Sequence, residues 1–514
     1  MNLAIIHYHL NRGGVARVIE NQLLALDAVL DPADPWHAAI LHGGRKEGWN
    51  DGLAGRLRAI RLELAVVPGL EYDEPRAAEN APPDEGSRLL LELTDAIGRL
   101  GFTPGETVVQ IHNHSLGKNV ALSASVGALA ASGYNLLLQI HDFAEDFRPA
   151  NYRRVASLGA ETLYPQAAGI HYAVLNGRDH AMLLAAGVAD ERLHFLPNPV
   201  CPGGALPDRA VARAKLETIF GVGPGRRFLL YPVRAIRRKN VGEALLVGVL
   251  SPPGTVVGVT LAPLNPAERP VYAEWKDAAA ELELPCRFEV GGAGALTIAE
   301  NLAASDTLMT TSVAEGFGMV MLESWLTGRA LVGRDLPEIT SDFTAAGLRL
   351  DGLWKRLDAP LAWVGRERFA DAARAAYRRA MAVFDRPLPT GWEDALRDKM
   401  SNGAVDFADL DEAMQRDVLG RVAGSPEDRR EVFARNPGLE ETLAVDRSSS
   451  AATIERNARV VERRFGPVPS GRRLAELLAR VAGSPRGGPA ARLARHERIL
   501  DALLDPRRFR MIRT

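Results

Sequence analysis

The chain has 514 residues, 46% of them hydrophobic and 25% charged, a profile that excludes a disordered or collagen-like polypeptide. Lys plus Arg total 62 against 64 Asp plus Glu, so the formal net charge of -2 gives no reason to expect nucleic acid as a partner. The two cysteines, Cys201 and Cys286, exclude a disulfide framework and an all-cysteine zinc site, which makes the cytoplasm the default location.

At about 150 residues per domain this length suggests roughly three units, or two large ones with insertions. The opening MNLAIIHYHLNRGG has neither a basic n-region nor a small-residue cleavage site, so no signal peptide is expected. No run of about 18 apolar residues appears, so no membrane span is expected, although peripheral contact with a membrane stays open. Lysine is scarce beside arginine: only positions 46, 118, 215, 239, 276, 355 and 399 carry it.

From the N-terminus, short apolar runs predict strands at Asn2–Tyr8, Trp36–Leu41, Leu62–Val67, Thr107–His112, Asn135–His141, Gly169–Leu175 and Arg192–Leu196. Helical spacing lies between them at Ala16–Leu30, Ser87–Leu100 and Arg178–Ala186. Residues 67–86, rich in Pro, Glu and Asp, read as an exposed acidic connector. PNPVCPGGALP, at 197–207, can continue neither a helix nor a central strand and reads as an interdomain linker.

A second series predicts strands at Arg227–Val233, Thr255–Leu261, Cys286–Val290, Thr307–Thr311 and Ala330–Gly333. Helices are expected at Gly242–Leu250, Val271–Leu282, Thr297–Ala304 and Val320–Thr327. Beyond about 340 the texture is Ala/Arg/Glu/Leu-rich and helical, without convincing strand alternation. Asp409-Leu410-Asp411 reads there as a solvated acidic stretch. The tail from Arg486 carries a Pro/Gly break and then a basic helix. The fold class expected is α/β: two tandem Rossmann-like doubly wound domains with a mainly helical C-terminal insertion and extension. The boundaries expected are 1–200, 201–345, 346–450 for the insertion, and 451–514 for closing helices and a basic tail.

Four stretches could carry chemistry. Thr311-Ser-Val-Ala-Glu315-Gly316-Phe317-Gly318-Met-Val-Met-Leu-Glu323 joins a strand to a helix, and its glycines bring bare N–H groups to a helix N-terminus. Taken alone, Glu315 reads equally as a capping acid and Glu323 as a solvated helix residue. Arg234-Ala-Ile-Arg-Arg-Lys239-Asn sits at a strand's carboxyl end, where open α/β sheets bind ligands, and suits a diphosphate or a plain basic loop. Asn11-Arg12-Gly13-Gly14 follows the first strand but meets neither nucleotide-binding glycine fingerprint. His141-Asp142-Phe-Ala-Glu-Asp-Phe-Arg148 and the group His112, Asn113, His114 and Lys118 lie at strand ends, where they could orient a sugar or an acceptor. No metal-ligand spacing is met and no metal is expected.

In this order the fragments resemble retaining glycosyltransferase family 4, whose fold is GT-B. The fragments are GGV after strand one, HD after a mid-domain strand, LPNPV at the linker, Arg234 with Lys239, and EGFG followed by Glu323. Ser312 and Asp306 also match the run before EGFG. The resemblance covers roughly residues 1–340 and resumes at 454–481. It implies that Arg234 and Lys239 neutralise a donor diphosphate and that Glu323 binds the ribose. It further implies that Glu315 and the Gly316–Phe317–Gly318 backbone hold the donor sugar, that His141 sits near its reacting face, and that Gly13 and Gly14 approach the phosphates. Retention of anomeric configuration without a divalent metal follows from the same likeness, with a UDP- or GDP-linked sugar as co-substrate and no other cofactor. The family's Gly before the Arg is replaced here by Val233.

For the acceptor, the basic and His residues Arg12, His112, His114, Lys118, Arg148, Arg153 and Arg154 suggest a small anionic soluble molecule, with Asp142 as a further contact. The HDFAEDFRP run resembles family members that elongate glycosyl-glycerate solutes. A lipid-linked or polysaccharide acceptor, a phosphorylase or epimerase on the same fold, and a non-catalytic nucleotide-sugar scaffold are the alternatives.

Overall fold

The computed structural model describes residues 1–73, 85–156, 158–159, 163–201, 203–445 and 450–513. Most of the acidic connector expected at 67–86 lies outside these residues, as do positions 448–449 of the serine run. The chain forms two compact units. One comprises Met1–Cys201, Val383–Asp385 and Glu462–Asp505; the other comprises Pro202–Ala382, Arg386–Val461 and Pro506–Thr514.

The first unit is built on a seven-stranded sheet: β1 (Asn2–Ile6), β2 (Trp36–His42), β3 (Ile60–Val66), β4 (Thr107–His112), β5 (Asn135–Ile140), β6 (Ile170–Val174) and β7 (Leu193–Phe195). All pairings are parallel, in the order β3-β2-β1-β4-β5-β6-β7. Strands β4, β5 and β6 are buried along their whole length, which is why they read as largely apolar runs. Asn119 and Asn176 cap the helices Val120–Ala131 and Gly177–Ala186 by accepting from the Leu122 and Asp179 amides. The late helix Pro467–Ala482 returns to pack on Gly14–Asp27, placing Leu474, Leu477 and Leu478 in the core with Ile19 and Leu23. A Cβ at Gly471 would run into the Ala25 carbonyl, so only glycine permits that approach.

The second unit carries six parallel strands: β8 (Arg227–Arg234), β9 (Thr255–Leu261), β10 (Cys286–Phe288), β11 (Thr307–Thr310), β12 (Ala330–Arg334) and β13 (Leu353–Trp354). Their order is β10-β9-β8-β11-β12-β13. The order reverses direction beside β1 in the first sheet and beside β8 in the second, so each sheet has a crevice-forming switch point at its carboxyl edge. Pro232 has no N–H for the ladder, and β8 accommodates it with a register irregularity between Tyr231 and Arg234.

The region beyond 340 is not purely helical. Strand β13 extends the second sheet, and β14 (Asp358–Pro360) pairs antiparallel with β15 (Ala404–Asp406). These strands are two or three residues long, too short for alternation to register in the sequence. The segment is built into the unit by a buried ion cluster. Arg334 Nη2 lies 2.7 Å from Glu243 Oε2 and 2.8 Å from Asp406 Oδ1, and these side chains are at most 2% exposed. Asp409, expected in solvent, is 3% exposed and ion-paired to both Lys399 and Arg510. The sequence signal there was composition alone, which cannot reveal two cations approaching from 10 residues upstream and 101 downstream. The expected basic tail helix is short, Glu497–Leu503, and is followed by single helical turns.

Candidate active site

In the second unit, β8 ends at Arg234 and the chain turns through Arg237–Lys239 into the helix Val241–Leu250. Asn240 makes the turn with φ at 50°, a left-handed conformation that asparagine tolerates better than most residues. The loop is pinned from β8 and from the residues after β11. Tyr231 Oη and Thr311 Oγ1 donate to the Lys239 carbonyl at 2.7 and 3.0 Å, and the Val313 amide donates to the Arg238 carbonyl at 2.9 Å. The side chains meet the EGFG loop: Arg238 Nη1 donates to Glu315 Oε2 at 2.9 Å, and the Lys239 ammonium donates to Glu315 Oε1. Burial pushes the Glu315 carboxyl up, but Lys239 and then Arg238 outweigh it and bring it down to about 2. Glu315 is therefore a carboxylate throughout the physiological range.

Arg234 donates to the Ala262 carbonyl at 3.1 Å. Arg237 is held by Glu412 at 2.7 Å, and its amide donates to Glu268 at 2.8 Å. Glu268, Glu315 and Glu412 all contact this loop. Gly318 has φ at 78°, which the turn requires, and Glu323 falls within the short helix Val320–Leu326. Only the latter half of the Glu315–Glu323 interval is helical, so Glu315 belongs to the loop. Asp306, from the run that matched the family, lies at the opposite end of β11, where it accepts from Arg209, Arg213 and the Phe228 amide. It is a scaffold residue.

The post-340 segment reaches this loop directly. Gln415 Nε2 donates to Asn240 Oδ1 and to the Phe407 carbonyl, each at 3.0 Å. A shallow crevice opens beside the loop, walled by Arg237, Asn240, Trp275, Glu412 and Gln415 among others. Arg234, Lys239, Glu315 and Glu323 do not line it.

At the carboxyl edge of the first sheet, Asn113 is the hub. With φ at 58° it accepts from the His141 and Asp142 amides at 2.7 and 3.1 Å, and its carbonyl accepts from Tyr8 Oη at 2.5 Å. Asn113 thus joins three strand ends in the left-handed conformation that asparagine tolerates. His112 Nδ1 and His141 Nε2 lie 2.8 Å apart and share one N–H. Burial lowers His141 to about 4 and His7 to about 3, and it takes His112 well below its ordinary value, so these rings are neutral at pH 7.

His112 and His114 are both 0% exposed. His112 is hydrogen-bonded to His141, and His114 bonds the Leu163 carbonyl at 2.8 Å. Asp142 pairs with Arg148 at 2.5 Å, both half-buried. Gly13 and Gly14 open the first helix in exposed positions where a Cβ would meet almost nothing, so packing does not demand glycine there. Arg12 is exposed beside them. Tyr72, Tyr231, Arg238 and Gln415 had no assigned role. Arg238 stood inside the basic run and could have been found, but nothing in the sequence marks Tyr72 or Gln415.

No protein-family model matches the chain. Among curated proteins it is similar to the mannosylglucosyl-3-phosphoglycerate synthase of Petrotoga mobilis, 28% identical over 358 residues. The match covers 66% of this chain, which spans 66% of that relative's length. Among solved structures it is similar to Anabaena Alr3699/HepE in complex with UDP-glucose, with a TM-score of 0.54, 13% identity, and coverage of 93% of this chain and 99% of that one. Sucrose-phosphate synthase from Thermosynechococcus elongatus gives a TM-score of 0.53 at 12% identity, covering 94% of this chain and 99% of the other. The fold is thereby the α/β arrangement of two Rossmann-like units found in GT-B proteins.

Proposed function

We propose that the chain is a glycosyltransferase that moves a sugar from a nucleoside-diphosphate sugar to a hydroxyl of a small anionic acceptor of the glycerate type. The observation that carries this reading is the cluster of Arg238, Lys239 and Glu315 at the carboxyl ends of β8 and β11, held by Tyr231, Thr311 and Asn240. A rigid cationic loop beside a permanently ionised carboxylate suits a diphosphate attached to a polyhydroxylated ring. The name of the Petrotoga relative supports the acceptor class, since its product contains phosphoglycerate. The UDP-glucose complex on the same fold supports the donor class.

In this reading Lys239 and Arg234 stabilise the negative charge that grows on the departing diphosphate. Glu315 and the Gly316–Gly318 backbone hold the sugar hydroxyls, and Glu323 holds the ribose. Gly13 and Gly14 approach the phosphates, and neutral His141 faces the sugar. The bond between the anomeric carbon and the diphosphate oxygen breaks, the acceptor oxygen bonds that carbon on the same face, and the acceptor proton leaves with the nucleoside diphosphate. The reaction is of the retaining family 4 type, needs no divalent metal, and runs in the cytoplasm. Among the described residues no helix is long and apolar enough to cross a membrane. The test is to incubate the full chain with UDP- and GDP-sugars and phosphorylated or glycerate-type acceptors, and to read products by mass spectrometry. No transfer, with no binding of any nucleoside diphosphate, would rule the assignment out.

A further inference from the structure

Residues 506–513 belong to the same compact unit as the cationic loop. They form two single turns, Pro506–Arg508 and Met511–Arg513. The Phe509 amide donates to the Pro506 carbonyl at 3.3 Å, and the Arg513 amide to the Arg510 carbonyl at 3.0 Å. Turns this short have no stability of their own and keep their shape only where something ties them down. Here the second turn lies against the Arg237–Lys239 turn of the loop and against the turn Phe407–Asp409.

The anchors precede that contact. Phe509 is buried, its ring edge-on to Tyr377 at 4.8 Å and to Trp392 at 5.9 Å, and those two rings stack on each other at 4.1 Å. The Phe509 carbonyl accepts from the Lys399 ammonium at 3.0 Å. Lys399 also donates to Asp409 at 2.6 Å, and Arg510 pairs with the same carboxylate. The stretch cannot slide without parting buried charges, which is costly.

Beyond these anchors Ile512 reaches the loop. It is 2% exposed and packs with Val313 and Ala408 in a small apolar cluster. It also walls the crevice with Arg237 and Asn240. Val313 follows β11, and its amide donates to the Arg238 carbonyl at 2.9 Å. In so small a cluster each side chain supplies much of the others' cover. Without Ile512, water would compete for the bond between Val313 and Arg238.

We infer that residues 509–513 are a strap that sets the shape of the cationic loop, with Ile512 as a positioning residue that acts on the Arg238–Lys239 peptide through Val313. Tyr231 and Thr311 hold the loop at the Lys239 carbonyl, and the strap secures the carbonyl before it. A guanidinium and an ammonium grip a diphosphate well only when their spacing is fixed before the ligand arrives. That the loop grips a donor diphosphate rests on the transferase reading; that Ile512 keeps the loop closed does not.

The test reads the loop directly in the full chain. Trypsin cuts after Arg237, Arg238 or Lys239 when the loop opens, and mass spectrometry follows that cleavage. Urea midpoints and calorimetric titration with UDP are measured alongside. Ile512→Ala should speed cleavage at these bonds about tenfold or more and weaken UDP binding about tenfold, while Ile512→Val retains most of the protection and the affinity. Arg510→Gln loosens an anchor and should move both readings the same way by less. Cleavage and UDP affinity unmoved by Ile512→Ala overturn the strap, as does a lowered urea midpoint with neither of them changed. Hydrogen exchange of the unsubstituted chain gives a reading that needs no variant to fold. The Val313 amide should be no better protected than the Arg513 amide, because the loop opens when the strap does. A Val313 amide protected about a hundredfold better overturns the strap. A loop that opens on loss of Ile512, in a chain that never binds UDP or transfers sugar, keeps the strap and loses the transferase reading. Sugar transfer with loop protection unmoved by Ile512→Ala keeps that reading and loses the strap.

Discussion

At the carboxyl ends of β4 and β5 the buried polar groups facing one another are imidazoles that burial keeps neutral, joined by the hydrogen bond between His112 and His141. At the corresponding ends of β8 and β11 they are an ammonium, a guanidinium and a carboxylate, all charged and bonded to each other. The two sheets have the same strand order through this region, so topology places loops at both edges without choosing their chemistry. The residue types choose it. Neutral rings can exchange hydrogen bonds with hydroxyls without giving up the solvation of a charge, whereas fixed charges suit a pyrophosphate.

The largest expected effect tests what makes the charged edge rigid. Asp406→Ala leaves Arg334 buried with half its counter-charge and should cost about 3–5 kcal/mol in urea unfolding. A loss under about 1 kcal/mol would mean that the ion cluster is not what fixes this unit.

Next, Lys239→Ala should lower kcat by about 10²–10³ and raise the donor dissociation constant much less, because leaving-group charge is greatest in the transition state. Equal losses in both would make Lys239 a ground-state binder and blur the contrast between the edges.

On the neutral edge, Glu145 is fully buried and receives Tyr164 Oη at 3.1 Å, and burial lifts its carboxyl from 4.5 to about 7. Because the folded state holds this proton more tightly than the unfolded chain, Glu145 costs nothing below pH 4.5. Stability then falls as pH rises from 4.5 to about 7, and the penalty is complete above that. The penalty amounts to about 3 kcal/mol. Urea midpoints of Glu145→Gln should lose that pH slope, and an unchanged slope would assign it to another group.

The smallest effect concerns the post-340 segment. Gln415→Leu strands Asn240 Oδ1 and should cost about 1 kcal/mol of stability. Turnover should fall with donor KM nearly unchanged, and Gln415→Glu should restore little because it removes the donor. An unaltered kcat would show that the basic loop needs no support from that segment.

Strand positions were legible because a parallel strand covered on both faces must be a short apolar run, as Thr107–His112 and Thr255–Leu261 are, ending where expected. The cationic loop and the EGFG turn were legible because they sit at strand ends and carry glycine or a rare lysine. The strands β14 and β15 were not, since their pairing spans about 45 residues and each contributes only three. The solvated reading of Asp409 failed for a related reason: acidic composition favours the surface unless cations distant in sequence are brought to it.

The sequence by itself determined the α/β rhythm, the two series of strands and the ends at which polar loops would gather, because burial imposes periodicity and glycine marks tight turns. Only the tertiary structure decided which charges meet. Lys239 finds Glu315 across 76 positions, Gln415 reaches Asn240 across 175, and Lys118 shares the Tyr72 ring with Arg45. Ion pairing and hydrogen bonding fall off within a few ångströms in space and carry no trace of separation along the chain, so no local pattern encodes those partners.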